Sequence, residues 1–177
     1  KAIHPLGKSP VVDDGEARLA ETGAIVEYLL DTHGGSALRP ARGTAEGRRF
    51  TYWLHYAEGS AMTPLLLRLI FSQIPKRAPL LARPVAGGIA RKVDANLIAP
   101  QLKAHTDYWE AELARSEWFA GDAFSAADIM MSFPLEAARA RAGLGPERPH
   151  LIDWLERIHA RPAYAAALRA GGAYAYA

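Results

Sequence analysis

The stretch from His4 to Leu30 places two strand-like segments and a helix in immediate succession, and this order restricts the folds open to the chain. The first segment begins at Val11, and residues 13–15 (Asp-Asp-Gly) favour a tight turn. Residues 17–20 return as a second short strand. Apolar residues at helical spacing follow until two glycines at positions 34 and 35: Ile25, Val26, Leu29 and Leu30. The pattern predicts a β-hairpin followed directly by a helix.

Residues at the ends of this unit are suited to hold a small ligand. Pro10 cannot donate to a strand ladder, so the backbone of Ser9 is available to an extended ligand. Because about 5–6% of X-Pro bonds are cis, the residues alone favour a trans Ser9-Pro10 bond. Glu21 and Thr22 stand at the helix start, where free N–H groups suit a carboxylate and Glu21 could hold an ammonium group. They suit the head of a zwitterionic amino acid, although spacing alone favours Thr22 as an N-cap and Glu21 as a first-turn charge.

The segments HPLGKSPVV and LAETGAIVEYL resemble the second half of the thioredoxin-like domain of glutathione S-transferases. The resemblance implies a cis Ser9-Pro10 bond and a backbone contact between Ser9 and the cysteinyl part of glutathione. It further implies that Glu21 and Thr22 hold the γ-glutamyl head and that Lys8 lies near the glycyl carboxylate. Ser9 replaces the usual aliphatic residue and Thr22 the commoner serine, but the backbone contact and the hydroxyl are retained.

The resemblance also implies a mostly α fold, in which a partial thioredoxin-like α/β domain precedes an all-α helical bundle. We expect the C-terminal half of the glutathione-binding domain at residues 1–34, a linker at 35–43 and the helical domain at 44–177. A hairpin is too small a sheet to stand alone, so we expect a further segment before Lys1. The resemblance implies that this segment is a βαβ unit of about 30 residues or more. The family's thiol-activating residue lies in that unit, and the catalytic residue is therefore unknown.

The helical part of the sequence provides weaker candidates for a site. Thr44 can cap a helix that continues through Phe50, Trp53 and Leu54. The family places this helix beside the cleft between domains, which makes Tyr56 and Met62 candidates for a hydrophobic substrate pocket. Tyrosines at helical spacing are also typical of the edge of a core.

The pattern after this helix predicts a bend, a contact surface and a basic loop. Pro64 bends the helix or begins the next, and residues 65–74 are apolar on nearly all sides, which indicates burial or a subunit contact. Three prolines and three cations interrupt the pattern over 74–84, and we interpret this as a solvated loop. A long helix should follow Gly87-Gly88, with a kink at Pro100 and apolar positions at Val93, Leu97, Leu102, Trp109 and Leu113.

Ser125 and Asp128 have the spacing of a capping box, in which each side chain satisfies a free N–H group at a helix start. This explains both residues, and we interpret Asp128 as structural.

Charge and composition exclude several classes of protein. The 21 basic and 19 acidic residues nearly balance, so we expect no nucleic-acid partner. The sequence contains no cysteine, which excludes disulfides and thiolate chemistry within it and is compatible with a cytoplasmic location. Its six histidines lack metal-ligand spacing, so we expect no metal. Since no apolar run is long enough to span a bilayer, we also expect no membrane partner.

The sequence is thus identified as a member of the glutathione S-transferase family. The resemblance implies an enzyme that adds the glutathione thiolate to hydrophobic electrophiles, with glutathione as a substrate, in a homodimer. Peroxide reduction, isomerisation or dehalogenation on the same fold stays open, as does a non-catalytic protein-association module.

Overall fold

The computed structural model describes residues 3–176, which are mainly helical. Strands β1 (Val11–Asp14) and β2 (Ala17–Ala20) form an antiparallel two-stranded sheet. The α-helices that follow are α1 (Thr22–Thr32), α2 (Ala45–Tyr56), α3 (Met62–Arg77), α4 (Arg83–Val93), α5 (Ala99–Leu113), α6 (Ala126–Ala142), α7 (Pro149–His159) and α8 (Pro162–Gly171). The predicted hairpin and helix are therefore present, with β1 two residues longer than the apolar pair that begins it.

The hairpin is closed by the turn that the sequence predicts. Gly15 adopts a φ of 60°, a value that glycine reaches without steric cost. Asp13 and Arg18 face each other across the strands, and the carboxylate accepts hydrogen bonds of 2.6 Å and 3.1 Å from the guanidinium. The turn thus lies at one end of the ladder, and the strand termini lie at the other.

The core of the molecule lies among the helices. Three tryptophans, Trp53, Trp109 and Trp154, are almost completely buried and come from three different helices, α2, α5 and α7. Leu30 of α1 belongs to the same hydrophobic cluster. Burial of this apolar surface is the main stabilising contribution to such a core, and it connects the hairpin unit to the helices through α1.

Pro64 and Pro100 each follow a π-helical turn. The sequence predicts a bend or a helix start at Pro64 and a kink at Pro100. Residues Ala57–Ala61 form a π-turn before Pro64, and Asp94–Ile98 form another before Pro100. A proline has no N–H for the carbonyl four residues earlier, and its ring crowds that carbonyl. Widening the preceding turn relieves both conflicts without ending the helix.

The extra residue of the second π-turn changes which side chain faces the core. Leu97, predicted in the apolar stripe, is 48% exposed, and its neighbour Ile98 is buried instead. The predicted break at 74–84 is also shorter than expected, because α3 continues to Arg77 through Pro75 and α4 begins at Arg83. Residues Gly87 and Gly88 lie inside α4 rather than before a helix.

Asp128 is the buried centre of the predicted capping box. Its carboxylate accepts hydrogen bonds from the Ser125 N–H and Oγ, both at 2.9 Å. The Phe119 N–H at 2.9 Å and the Trp154 indole N–H at 3.4 Å are further donors. Burial raises the pKa of the Asp128 carboxyl, and these four hydrogen bonds oppose the rise. The structural role predicted for Asp128 is confirmed.

Within residues 3–176, none of the helices combines the length and the apolar character needed to cross a membrane. The same residues contain no group of three or more His, Asp or Glu side chains arranged to hold a metal ion.

Candidate functional site

The strand register places the two predicted ligand-binding segments at the same end of the hairpin. Val11 of β1 pairs with Ala20 of β2. Pro10 and Glu21 are each the next residue outward from this pair, on opposite strands. Directly opposed residues of an antiparallel ladder have Cα atoms about 4.5–5.5 Å apart, so the two segments leave the sheet side by side.

The bond between Ser9 and Pro10 is cis. The cis bond implied by the family resemblance is confirmed. The prediction of a trans bond, which the residues alone favoured, is wrong. Ser9 and Pro10 are both exposed, and the Ser9 backbone forms no hydrogen bond with another described residue. Its polar groups are therefore open to an extended ligand.

Glu21 has the most unusual backbone of the described residues. Its φ is 74° and its ψ is 122°, and it is the sole non-glycine residue with positive φ between residues 3 and 176. A side chain with a Cβ reaches this region at a cost of order 1–3 kcal/mol, and such strain is typical of functional sites. The surrounding structure thus holds Glu21 in a conformation that it would not adopt by itself.

Glu21, not Thr22, occupies the N-cap position of α1, so the interpretation of Thr22 as an N-cap is wrong. The Glu21 side chain makes no capping hydrogen bond, although its carbonyl accepts the first helical bond from the Ile25 N–H at 3.0 Å. The Glu21 carboxylate is exposed. It therefore remains available for a positively charged group outside the helix.

The first turn of α1 presents the positive end of the helix dipole. Residues 22–24 are the first three of the helix, and their N–H groups precede the first residue that has a helical acceptor. The first turn contains no acidic side chain. Together with the helix dipole, these N–H groups favour an anion such as a carboxylate beside Thr22.

Lys8 lies next to Ser9 in the segment that leads into β1. This segment is ordered by a turn in which the Gly7 N–H donates to the His4 carbonyl at 2.8 Å. It is joined to β2 by Arg18, whose Nη1 donates to the Ile3 carbonyl at 3.3 Å. The Lys8 side chain is exposed, so an ammonium group is available beside the Ser9 backbone.

Asp14 fixes the orientation of α1 on the hairpin. Its Oδ2 accepts a hydrogen bond from the Tyr28 hydroxyl at 3.1 Å and lies 2.6 Å from His33 Nε2. Hydrogen bonds from His33, and then from Tyr28, lower the pKa of the Asp14 carboxyl. Sequence reasoning missed this triad, because three residues separated by 14 and 19 positions have no recognisable spacing.

The two candidates for a hydrophobic substrate pocket are engaged with the helical core. The Tyr56 hydroxyl accepts a hydrogen bond from the Trp109 indole at 3.1 Å and is paired with His105 Nδ1. Desolvation by burial raises the pKa of Tyr56 to about 12, so its hydroxyl is protonated at neutral pH. Met62 is half-buried against the hydrophobic cluster. Their role in a substrate pocket stays a prediction.

An apolar cavity of about 560 Å³ lies elsewhere, between α6, α8 and the C-terminal segment. Its one buried carboxylate, Glu136, accepts hydrogen bonds from Tyr164 at 2.8 Å and from Tyr174, and its Oε1 lies 3.0 Å from His159 Nε2. None of the seven predicted site residues lines this cavity. Sequence reasoning missed this cluster, since its members lie up to 38 positions apart.

Family models match both parts of the chain. The model of the glutathione S-transferase N-terminal domain matches residues 1–31, and that of the glutathione S-transferase C-terminal domain matches residues 89–162. Together they cover more than half of the sequence.

Individual relatives agree with these models. Glutathione S-transferase 1 of Saccharomyces cerevisiae is 33% identical over 175 residues, which is 94% of this chain and 75% of the relative. Glutathione S-transferase 3 of Zea mays is 35% identical over 168 residues, covering 92% of this chain and 71% of the relative.

Solved structures share the fold. A glutathione S-transferase from Actinobacillus pleuropneumoniae superposes with a TM-score of 0.75 at 30% identity, covering 96% of this chain and 71% of the other. A sphingomonad glutathione S-transferase, determined in complex with glutathione, gives a TM-score of 0.68 at 30% identity, with 98% and 78% covered.

A hairpin with a cis proline, a helix that starts beside it and a helical bundle thus define a protein with the thioredoxin-like and all-helical architecture. The chain belongs to the glutathione S-transferase family. The family and the fold expected from the sequence are both confirmed.

Proposed function

We propose that this protein binds glutathione at the Pro10–Glu21 end of the hairpin and conjugates its thiolate to hydrophobic electrophiles. The observation that carries the proposal is the register of β1 and β2, by which Pro10 and Glu21 flank the same residue pair. A backbone with free polar groups and a helix start with free N–H groups lie next to each other there. Glutathione is a peptide with a zwitterionic head and requires both.

Each part of the tripeptide has a matching group. The Ser9 backbone pairs with the cysteinyl unit as an additional short strand would. The α-carboxylate of the γ-glutamyl head accepts hydrogen bonds from the α1 N-terminus and from the Thr22 hydroxyl. The Glu21 carboxylate holds the α-ammonium group, and Lys8 lies toward the glycyl carboxylate.

Binding of this kind accelerates the reaction by orientation. A glutathione molecule held at three points presents its thiol in a fixed direction, so the encounter with an electrophile becomes effectively unimolecular. The thiolate is the nucleophile, and a hydrogen bond or positive field near the sulfur lowers the thiol pKa.

The same proposal extends to the organisation of the chain. We propose residues 1–34 as part of the glutathione-binding domain, 35–43 as the linker and 44–177 as the helical domain. Arg39 supports a fixed relation between them, because its Nη1 lies 2.5 Å from Asp31 Oδ1 of α1 and its guanidinium lies over the Phe50 ring of α2. A cytoplasmic location is part of the proposal.

A second copy of the chain is the partner that α3 favours. Of its apolar residues, Leu65 is buried, whereas Leu66, Ile70 and Ile74 are exposed at i, i+4 and i+8. One stripe of the helix therefore remains uncovered, which suits a homodimer contact.

The function is tested by assaying the protein with glutathione and an aryl halide, and separately with an organic hydroperoxide. The proposal predicts formation of the aryl thioether above the rate in buffer, with saturation in glutathione. Peroxide reduction without thioether formation would replace conjugation by a peroxidase reaction. Absence of glutathione binding would favour the protein-association module.

A further inference from the structure

The connection between α3 and α4 is unusually basic. Residues 69–93 contain five of the 21 basic residues of the chain and none of its 19 acidic residues. The five are Lys76, Arg77, Arg83, Arg91 and Lys92. In residues 3–176, none of these five side chains lies within 4.0 Å of a carboxylate, so their charge is not neutralised locally. The remainder of the chain, in contrast, contains more acidic than basic residues.

The same connection exposes large apolar side chains. α3 ends at Arg77, a 3-10 turn spans Leu80–Ala82, and α4 begins at Arg83 and packs back against α3. Residues 76–85 therefore form the apex of a helical hairpin, and we call them the apex. Its apolar side chains are 74% exposed at Leu80, 95% at Leu81 and 67% at Val85. These exposed leucines therefore lie at the end of the helical hairpin formed by α3 and α4, outside the core.

We propose that the apex binds the surface of an anionic phospholipid membrane. Leu80, Leu81 and Val85 enter the boundary between headgroups and acyl chains. Lys76, Arg77 and Arg83 contact the lipid phosphates and carboxylates around them. This combination of a cationic rim and apolar side chains is the general requirement for a protein segment that lies in a membrane interface.

Other occupants fit the charge and chemistry less well. A symmetric contact between two apexes would bring like charges together, because the same patch would face itself. Residues 78–89 contain no aromatic, hydroxyl or amide side chain. Nucleic acids are bound through such groups in addition to cations, so four exposed aliphatic side chains in this range do not suit them. An apolar apex with a cationic rim matches the layered chemistry of an anionic lipid surface.

This inference revises the expectation of no membrane partner. That expectation excluded a spanning helix, and a surface contact needs no such helix. The two segments that we propose to bind glutathione lie elsewhere in the chain, so the contact is independent of the proposed reaction.

Vesicle flotation with the full protein tests the proposal. Vesicles of phosphatidylcholine containing about one third phosphatidylserine should bind the protein, and pure phosphatidylcholine should bind it at least about tenfold more weakly. The triple variant K76Q/R77Q/R83Q should bind about 100-fold more weakly, since each cation near an anionic surface contributes roughly a fivefold factor. The double variant L80S/L81S should lose at least about tenfold.

Matched variants distinguish this site from general effects. The triple variant R42Q/R139Q/R169Q makes the same charge change at exposed positions outside the apex, and L29S removes an exposed leucine from α1. Both should bind vesicles as the unmodified protein does. Circular dichroism melting establishes that each variant is folded.

Three outcomes would overturn the proposal. One is equal or absent binding to the two vesicle compositions. Another is undiminished binding of L80S/L81S, which would mean charge attraction without insertion. The third is binding to soluble polyglutamate as tight as to vesicles and unaffected by L80S/L81S, which would identify an acidic macromolecule as the partner.

Discussion

At the scale of single residues, Glu21 connects the fold to the proposed function. Its positive φ of 74° is a conformation in which a side chain is strained, yet it directs the chain from β2 into α1 within one residue. A glycine would suit this backbone better. The presence of a glutamate indicates that its carboxylate has a use that offsets the strain, and glutathione binding is the use that we propose.

Replacement of Glu21 by glycine should therefore stabilise the protein while weakening its binding of glutathione. Release of about 1–3 kcal/mol of strain exceeds the about 0.5–1 kcal/mol that glycine costs through chain entropy. We expect the free energy of unfolding in urea to rise by about 0.5–2 kcal/mol. As a control, Glu16→Gly, at a residue without positive φ, should lower it. A loss of stability in Glu21→Gly equal to that of the control would show that Glu21 is not strained.

At the scale of secondary-structure elements, the capping box at the start of α6 connects three parts of the helical bundle. Asp128 accepts hydrogen bonds from its own helix start, from the loop at Phe119 and from Trp154 of α7. We expect Asp128→Ala to lower the free energy of unfolding by about 2–4 kcal/mol, because buried donors lose their acceptor. Thermal and urea denaturation measure the loss.

Asp153→Ala is the matched control, because Asp153 is an exposed aspartate in an i, i+4 pair with Arg157 on α7. Such pairs contribute about 0.3–0.5 kcal/mol. If the two alanine variants were equally stable, the carboxylate of Asp128 would not have the structural role described.

The contact between α2 and α5 should respond to pH through His105. Burial lowers the pKa of His105 below its ordinary value, so the folded protein holds the neutral ring. As the pH falls below about 6.5, the unfolded chain binds a proton before the folded protein does, and stability decreases through this window. His105→Gln should reduce the difference in melting temperature between pH 7.5 and pH 5.5, whereas His55→Gln at an exposed position should leave it unchanged. An undiminished difference in His105→Gln would contradict a neutral, half-buried ring.

The sequence predicted the elements whose signals are local. The turn of the β-hairpin is predicted by Gly15. The start of α2 is predicted by Thr44, whose Oγ1 accepts a hydrogen bond from the Gly47 N–H at 3.0 Å. The start of α6 is predicted by Ser125 and Asp128. The π-turns were not predictable, since proline specifies the loss of one hydrogen bond but not how the preceding turn adapts.

The proposed site shows the same division between local and distant signals. Ser9-Pro10 and Glu21-Thr22 are recognisable by motif, but their adjacency depends on the register of β1 and β2. Two side-chain clusters join residues that are distant in the sequence: the triad of Asp14, Tyr28 and His33, and the cluster around Glu136. No local sequence pattern predicts either cluster.

At the scale of the whole molecule, the exposed stripe of α3 predicts how copies of the chain associate. Ile70 lies at the centre of the stripe formed with Leu66 and Ile74, and all three side chains are more than 40% exposed. If the proposed homodimer forms through this stripe, Ile70→Asp should be monomeric in light scattering, because a charge buried in an apolar contact is costly. Leu29→Asp, an exposed position on α1, should leave the dimer intact. A dimeric Ile70→Asp variant would place the contact elsewhere.

Calorimetric titration of glutathione into the protein measures the proposed binding beside Glu21 directly. Glu21→Gln should weaken binding by about 1.5–3 kcal/mol, the value of a hydrogen bond to a charged group. Glu16→Gln makes the same change at the opposite end of the hairpin and should bind as the unmodified protein does. Equal affinity of all three proteins for glutathione would contradict the proposed site.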